Sequence, residues 1–191
     1  WYGITVSGGC VSEIDLGDNH LAGLIPDLNL PVVWFLNLEA NLLSGPVPDF
    51  DLPNLQVLRL GYNLLSGEIP NFDLPNLVHL DLGVNQLITG PIPDFDLPNL
   101  MNLFLELNQL SGPLPDFNLP NLKHLMVAVN KLSGPVPALQ STNLEQFQLD
   151  ENKFTFDGLT YHAGKNYPIF TYQAQDSVFV DTLIARNISQ S

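Results

Sequence analysis

The feature that most constrains the fold is a sequence unit that recurs about every 22 residues. One copy, Leu52–Asp73, reads LPNLQVLRLGYNLLSGEIPNFD, and the next copy begins at Leu74. An asparagine marks the register of each copy, at Asn19, Asn41, Asn63, Asn85, Asn108, Asn130 and Asn152. The step is 23 residues instead of 22 only between Asn85 and Asn108, where Leu87–Gly90 holds an extra residue. A unit this short cannot bury its own apolar face, so the copies are predicted to stack into a solenoid.

The order of residues within one unit predicts the path of the chain. In Leu55–Leu60 the apolar positions alternate, which predicts a short strand with Leu58 facing inward and Arg59 facing outward. Asn63 follows where the chain must turn, and we expect its amide to bond backbone groups that the strands leave unpaired. Pro70 excludes a helix from the returning segment.

A second motif follows each turn and gives the repeat its class. LSGxIP-like segments occur at Leu43–Pro48, Leu65–Pro70, Leu110–Pro115 and Leu132–Pro137. Together with the LxxLxLxxN strand, they resemble the plant-type leucine-rich repeat of plant receptor ectodomains and bacterial surface proteins. The resemblance covers residues 1–159. It implies an α/β-type but predominantly β solenoid, a right-handed superhelix with a concave parallel sheet. It also implies short second strands and 3₁₀ turns, rather than full helices, on the convex side.

The two ends of the chain depart from the repeat. We assign residues 1–29 to an N-terminal cap and first repeat, 30–152 to repeats two to seven, and 153–191 to a C-terminal cap and the start of a β-type tail. Trp1, Tyr2 and Ile4 are expected to shield the first repeat. Family caps carry a cysteine where this chain has Val6, which leaves Cys10 as a lone thiol, either buried or paired with a cysteine upstream. In the tail we expect aromatic residues over the last repeat, a strand and a glycosylation sequon, at Tyr161, Tyr167, Phe170, Tyr172, Ser177–Ala185 and Asn187.

The charge of the chain excludes several classes of partner. It carries 20 acidic against 6 basic residues, a net charge of −14. Such a surface repels phosphate, which argues against binding to nucleic acids or anionic membranes. No apolar run is long enough for membrane insertion. The chain opens on Trp1 and not on methionine, which fits a trimmed product that is secreted or held at the cell surface.

The predicted concave face carries the candidate ligand-binding residues, because neighbouring repeats about 4.8 Å apart bring equivalent side chains into columns. The candidates are Arg59, Tyr62, His79, Val84, Phe104, Leu107, His124, Met126 and Val129. So many apolar groups rarely face solvent unless a partner covers them. The alternative is that the turn partly buries the column of Tyr62, although this does not account for Phe104 and Met126.

Arg59 has two interpretations. It is the only Lys or Arg before Lys123, and its guanidinium suits a ligand carboxylate. Its strand neighbours Glu39 and Asp81 would equally neutralise it, and such cross-strand pairing is the common outcome.

The sequence predicts neither catalysis nor a transition-metal site. His79 and His124 are two repeats apart, roughly 9.6 Å, which is too far for one zinc ion. Glu39 and Glu106 are about 14 Å apart, beyond the carboxylate separation of glycosidases. The chain also lacks the G-x-S-x-G, H-E-x-x-H, phosphate-loop and C-x-x-C motifs. We therefore expect a non-enzymatic protein without a cofactor.

A second set of acidic residues lies on the returning segments, beside an expected inward column of Phe50, Phe72, Phe95 and Phe117. These residues are Asp49, Asp51, Asp73, Asp94, Asp96 and Asp116. Oxygen ligands repeated on every copy would suit Ca²⁺. The interpretation that we favour is turn capping, in which each side chain bonds its own backbone.

These observations lead to one main hypothesis of function. The chain is predicted to be an extracellular module that binds a protein or peptide, with an apolar segment and basic flanks, across its concave sheet. The alternative is a structural spacer or adhesion segment that Ca²⁺ stabilises through the acidic residues. Carbohydrate or ice-surface binding is a third, weaker alternative, because the face lacks tyrosine and tryptophan platforms or threonine rows. We expect a monomer.

Overall fold

The structure, a computed structural model, describes residues 2–139, 141, 143–155 and 169–171. Within these residues the chain forms strands and no helix, and so no helical segment that could cross a membrane. In chain order the strands are β1 (Ile4–Ser7), β2 (Cys10–Asp15), β3 (Ala22–Gly23), β4 (Phe35–Asn37), β5 (Leu42–Pro46), β6 (Val57–Arg59), β7 (Leu64–Gly67), β8 (His79–Asp81), β9 (Leu87–Gly90), β10 (Asn102–Phe104), β11 (Gln109–Gly112), β12 (His124–Met126), β13 (Lys131–Pro135), β14 (Gln146–Gln148), β15 (Lys153–Thr155) and β16 (Ile169–Thr171).

Two sheets share these strands. The described residues form a nine-stranded sheet in the order β1-β2-β4-β6-β8-β10-β12-β14-β16, and a seven-stranded sheet of β3, β5, β7, β9, β11, β13 and β15. Each repeat contributes one strand to each sheet and pairs in parallel with the next repeat, so that Leu58 lies beside Leu80 and Leu80 beside Leu103. The predicted leucine-rich-repeat solenoid is confirmed, including short strands in place of helices on the second side.

The core consists of one layer of apolar side chains per repeat. In β6, Leu58 is fully buried while Val57 and Arg59 are half-buried, as the alternation predicts. Phe72, Phe95 and Phe117 stack with ring centroids 6.3 Å apart, and Phe50 continues the same buried column. The inward phenylalanine column is therefore confirmed.

A ladder of buried asparagines links each repeat to the one before it. The side-chain nitrogen of Asn63 donates to the carbonyls of Leu60 and Gly61 in its own repeat, and to that of Leu38 in the preceding repeat at 2.9 Å. Its oxygen accepts from the backbone N–H of Leu43 at 3.0 Å. The expected role of the amide is confirmed, and the same pattern recurs at Asn85, Asn130 and Asn152.

The extra residue in the fourth full step disturbs this ladder at one position. Gln86, directly after Asn85, adopts a left-handed conformation with φ +57°. Asn108 still donates to three carbonyls, but its side-chain oxygen is buried and accepts no hydrogen bond among the described residues. The 23-residue step thus removes one inter-repeat hydrogen bond.

Both ends differ in part from expectation. At the N-terminus, β1 runs antiparallel to β2 and covers the first repeat with its backbone. Ile4 packs against the core, but Tyr2 is fully exposed, so its predicted shielding role is wrong. Cys10 is exposed, so the alternative in which its thiol is buried is wrong. At the other end, β16 pairs in parallel with β14 and adds one strand to the sheet after the seven repeats that the sequence predicts.

Several expectations fall where the structure gives no description. Trp1, Tyr161, Tyr167, Tyr172, Ser177–Ala185 and Asn187 lie outside the described residues, and nothing is stated for the side chain of Phe170. The division of the chain into two caps and an array stays a prediction.

Candidate binding face

The outward positions of the nine-stranded sheet, here called the sheet face, align in columns. Arg59 lies beside Asp81, Asp81 beside Phe104, and Phe104 beside Met126. A neighbouring column holds Val57, His79, Asn102, His124 and Gln146. All these side chains are half-buried and face outward, while the middle residue of each strand is buried in the core. The structure thus brings the predicted candidates of β6, β8, β10 and β12 onto one continuous surface.

The residues just after these strands form a third column, here called the turn column: Tyr62, Val84, Leu107 and Val129. Each of them adopts a left-handed conformation with φ of 55–56°. Their backbones continue the ladder, as Tyr62 donates to the carbonyl of Gly83 at 2.9 Å. Tyr62 is 57% exposed and Leu107 is 40% exposed, while the two valines are half-buried. Burial by the turn therefore does not account for Tyr62 and Leu107.

Arg59 is a half-buried cation that lies beside acidic neighbours without contacting them. Its side chain forms no hydrogen bond or ion pair with any described residue, so its predicted cross-strand pairing with Asp81 or Glu39 is wrong as a direct contact. Its charge nevertheless acts at a distance on Asp81 and His79. The donor groups of the guanidinium are therefore unused within the described residues.

Two carboxyl groups converge on Gly83 in the middle of the sheet face. Asp81 accepts a hydrogen bond from the Gly83 N–H at 2.9 Å, and Glu106 lies over Gly83, where an added Cβ would come within 2.9 Å of its Oε1. Gly61 makes the same room for Asp81, with 2.7 Å from an added Cβ to Oδ1. The sequence interpretation did not identify this pair. The glycines at Gly61 and Gly83 were the available signal, because an acidic side chain occupies the space that each leaves.

The surroundings of Asp81 and Glu106 disfavour the ionised form of both carboxyl groups. Burial, together with the charges of Glu106 and Glu39, raises the pKa of Asp81 to about 6, although the Gly83 N–H and Arg59 oppose the change. Burial also raises the pKa of Glu106. Its Oε2 is buried and has no hydrogen-bond partner among the described residues. At pH 7 Asp81 is therefore mostly ionised, and no cation of the described residues forms an ion pair with it.

The two histidines on the sheet face differ in environment. The His79 ring lies 5.2 Å from the Phe104 ring, at 88°. Burial, followed by the charges of Arg59 and His124, lowers the pKa of His79 to about 4, so this ring is neutral at pH 7. His124 contacts Asn102 through Nδ1 at 2.5 Å and Glu145 through Nε2 at 3.7 Å. His79 therefore belongs to the apolar part of the face and His124 to a polar network.

Asp81→Asn should stabilise the folded protein at neutral and alkaline pH. Because the folded pKa lies above the ordinary value of 3.8, ionisation removes stability as pH rises through about 6. Asparagine cannot ionise and can still accept the Gly83 N–H. We expect a gain of about 1–2 kcal/mol at pH 8 after solvent screening, and none near pH 4. Urea unfolding at both pH values measures the difference. Asp94→Asn, which removes an exposed charge, should change stability little at either pH, and an equal gain from both variants would contradict the argument.

The acidic residues of the returning segments do not cap their turns. Asp49, Asp51, Asp73, Asp94, Asp96 and Asp116 are all exposed, and none of them makes a hydrogen bond to a described residue. The capping interpretation is therefore wrong. The asparagine that follows each Leu-Pro step bonds the backbone instead. Its side chain donates to the proline carbonyl of the preceding repeat at 2.6–2.9 Å, as seen for Asn54, Asn76, Asn99 and Asn121. No three His, Cys, Asp or Glu side chains of the described residues could hold a metal ion together, and the calcium alternative stays a prediction.

Comparison with known proteins gives a consistent pattern. A family model of leucine-rich repeats, in two copies, matches residues 53–99. The crystal structure of a pollen receptor kinase 3 is 31% identical, with a TM-score of 0.71, and the match covers 93% of this chain and 84% of that one. A plant peptide hormone receptor, RGFR1 in complex with RGF2, is 30% identical with a TM-score of 0.68, and the match covers 75% of this chain.

A plant ice-binding protein is also similar, at 27% identity and a TM-score of 0.63, over 81% of this chain and 62% of that one. The chain spans only 23–28% of the length of the first receptors that it matches, RGFR1 among them. No curated protein sequence matches the chain.

Proposed function

Because this chain belongs to the plant-type leucine-rich-repeat family, we propose that it is a non-enzymatic module that binds a protein or peptide across its sheet face. We place it outside the cell or at the cell surface. The likeness to a plant peptide hormone receptor supports both the class of ligand and the location. The sheet face is the concave surface of the solenoid in this proposal, and Arg59, His79, Phe104, His124, Met126 and the turn column contact the partner.

One observation carries the proposal: the turn column holds bulky apolar residues where the backbone disfavours them. A left-handed conformation costs an L-residue roughly 1–2 kcal/mol, and glycine or asparagine is the usual solution. Val84 and Val129 are β-branched, which makes φ of 56° still less favourable. Exposure of Tyr62 and Leu107 adds a solvation cost. These side chains carry a cost in backbone conformation and a cost in exposed apolar surface. A partner that covers them would explain why they occupy these positions.

Val84→Asn should therefore stabilise the isolated chain while it weakens binding. Asparagine tolerates the left-handed conformation, so we expect about 0.5–1 kcal/mol of added stability in urea unfolding. The apolar contact with the partner is lost at the same time. Ser66→Asn, on the opposite sheet, is the control for a generic effect of asparagine. A loss of stability in Val84→Asn would show that the valine belongs to the core.

Phe104→Ala should abolish most of the binding energy. Phe104 lies at the centre of the face between Asp81 and Met126, and central aromatic residues dominate interfaces. We expect at least about a 30-fold loss of affinity, which corresponds to about 2 kcal/mol. The measurement uses dodecapeptides selected from a random display library on the wild-type chain, titrated by calorimetry. Phe104→Asp should give a larger loss without unfolding the domain.

The control for Phe104 is an exposed apolar residue on the other sheet. Leu64 is 49% exposed on β7, and Leu64→Ala should leave affinity within a factor of two or so. Selected peptides that bind Phe104→Ala as well as wild type would show that the partner docks elsewhere. Unfolding of Phe104→Asp would show that the ring is part of the core.

A further inference from the structure

The carboxyl pair on the sheet face specifies the chemistry of the partner more closely than the apolar columns do. Asp81 and Glu106 approach Gly83 from two neighbouring repeats, and the charge of Glu106 acts on Asp81 as a like charge. Both are half-buried, and one oxygen of Glu106 is buried without a hydrogen-bond partner in the part of the chain that the structure describes. A carboxylate in such a position is destabilised until a cation or a hydrogen-bond donor reaches it.

The described cations near the sheet face do not meet this need. Among the described residues, Lys123 pairs with Glu145 at 3.3 Å, Lys131 bonds Gln109 at 2.9 Å, and Arg59 contacts neither carboxyl. His79, which lies on β8 with Asp81, is neutral at pH 7. The pair is thus a local surplus of negative charge in the middle of the face, within a chain of net charge −14.

The surroundings of the pair fix the shape of the complementary group. Phe104 and Met126 continue the column of Asp81, and Val84 and Leu107 flank it in the turn column. An arginine or lysine side chain has the matching form, with an aliphatic stem for these apolar groups and a charged head for the two carboxyls. Arginine fits better because its planar guanidinium can contact two carboxylates at once.

We propose that the sheet face takes a peptide that places an arginine or lysine, flanked by apolar residues, over Asp81 and Glu106. This refines the expected partner, since the basic residue lies at the centre of the bound segment and not only at its flanks. The inference rests on the proposed function, because it assumes that a peptide lies across the sheet face. Charge complementarity selects this occupant over a neutral or acidic segment.

The test is a selection from a random dodecapeptide library on three immobilised chains. These are the wild type, Asp81→Asn/Glu106→Gln, and Asp94→Asn/Asp96→Asn, which loses the same two charges on exposed returning segments. We expect arginine and lysine to be enriched at least threefold at one central position with the wild type and with the control. The enrichment should vanish with Asp81→Asn/Glu106→Gln, whose near-isosteric side chains keep the fold, as its melting curve checks.

A second measurement needs no protein variant. A selected peptide is compared with its analogue in which citrulline, which has the shape of arginine without its charge, replaces the central arginine. We expect at least tenfold weaker binding of the analogue to the wild type and equal binding of both peptides to Asp81→Asn/Glu106→Gln. When lysine is selected, norleucine serves the same purpose.

The outcomes separate this inference from the proposed function. Selected peptides that bind through Phe104 but show no central basic residue overturn the inference and leave the proposed function standing. Equal basic enrichment on all three chains also overturns it, because the net charge of the protein then accounts for the enrichment. A library that yields no binders overturns the proposed function and the inference with it.

Discussion

Asn85→Ala is expected to destabilise the protein by about 3–5 kcal/mol. Asn85 is 1% exposed, and its side chain forms hydrogen bonds in two directions. Its oxygen accepts the Leu65 N–H at 3.0 Å, and its nitrogen donates to the carbonyls of Leu82 at 2.9 Å and Leu60 at 3.2 Å. Alanine leaves the Leu65 N–H buried without an acceptor, which alone costs about 1–3 kcal/mol, and it removes the bonds that join two repeats.

The measurement for Asn85→Ala is urea unfolding followed by far-ultraviolet circular dichroism. Asn76→Ala is the matched control, because Asn76 is exposed and donates one hydrogen bond, to the Pro53 carbonyl at 2.8 Å. Its loss should cost less than about 1 kcal/mol. If the two substitutions have similar effects, the buried ladder does not hold the repeats together more strongly than the exposed one.

Phe95→Ala is expected to lower the free energy of unfolding by about 3–5 kcal/mol through loss of packing. The ring is 2% exposed and lies between Phe72 and Phe117, with interplanar angles of 12° and 10°. Its removal leaves a cavity between three repeats. The neighbouring rings are held by their own repeats, so the space can close only in part.

Leu87→Ala provides the comparison for Phe95→Ala. Leu87 lies in the same repeat, on β9, but it is 48% exposed. We expect a change below about 1 kcal/mol, since most of that side chain stays in water when the protein folds. An effect below about 1 kcal/mol for Phe95→Ala would show that the phenylalanine column is not a structural core.

Structural features that recur in every copy could be predicted from the sequence. Side-chain contacts that depend on the residues of the neighbouring repeat could not. The inward leucines, the Asn63 amide and the phenylalanine column follow from spacing alone, because every copy places them in the same surroundings. The pairing of Arg59 with Asp81 was wrong because alignment on adjacent strands does not ensure contact, and Asp81 turns toward the Gly83 N–H. Turn capping by Asp51 and its equivalents was wrong because these carboxylates are exposed and solvated, whereas the backbone bonds of this segment come from donors such as the Asn54 amide.

The environment of the sheet-face residues also depends on tertiary context. The sequence gives only the spacing of Glu106 from Glu39, whereas burial raises the pKa of Glu106 and its carboxyl occupies the space above Gly83. The conformation of Val84 has no signal in the sequence, since valine is among the residues least expected at positive φ. Both features become visible only when the backbone of the neighbouring repeat is known.

The asparagine ladder has a consequence for how such a chain can grow. Asn63 and Asn85 each reach back 20 and 25 residues, to the N–H and the carbonyl of the copy before, so the bonding rule is the same at each of these steps. A duplicated 22-residue copy would have a full set of hydrogen-bond partners. Deletion of one copy would leave no backbone group without its partner. The bonding within the array therefore sets no length for it. Among the described residues, the antiparallel strand β1 departs from this rule, and it gives the array a starting point.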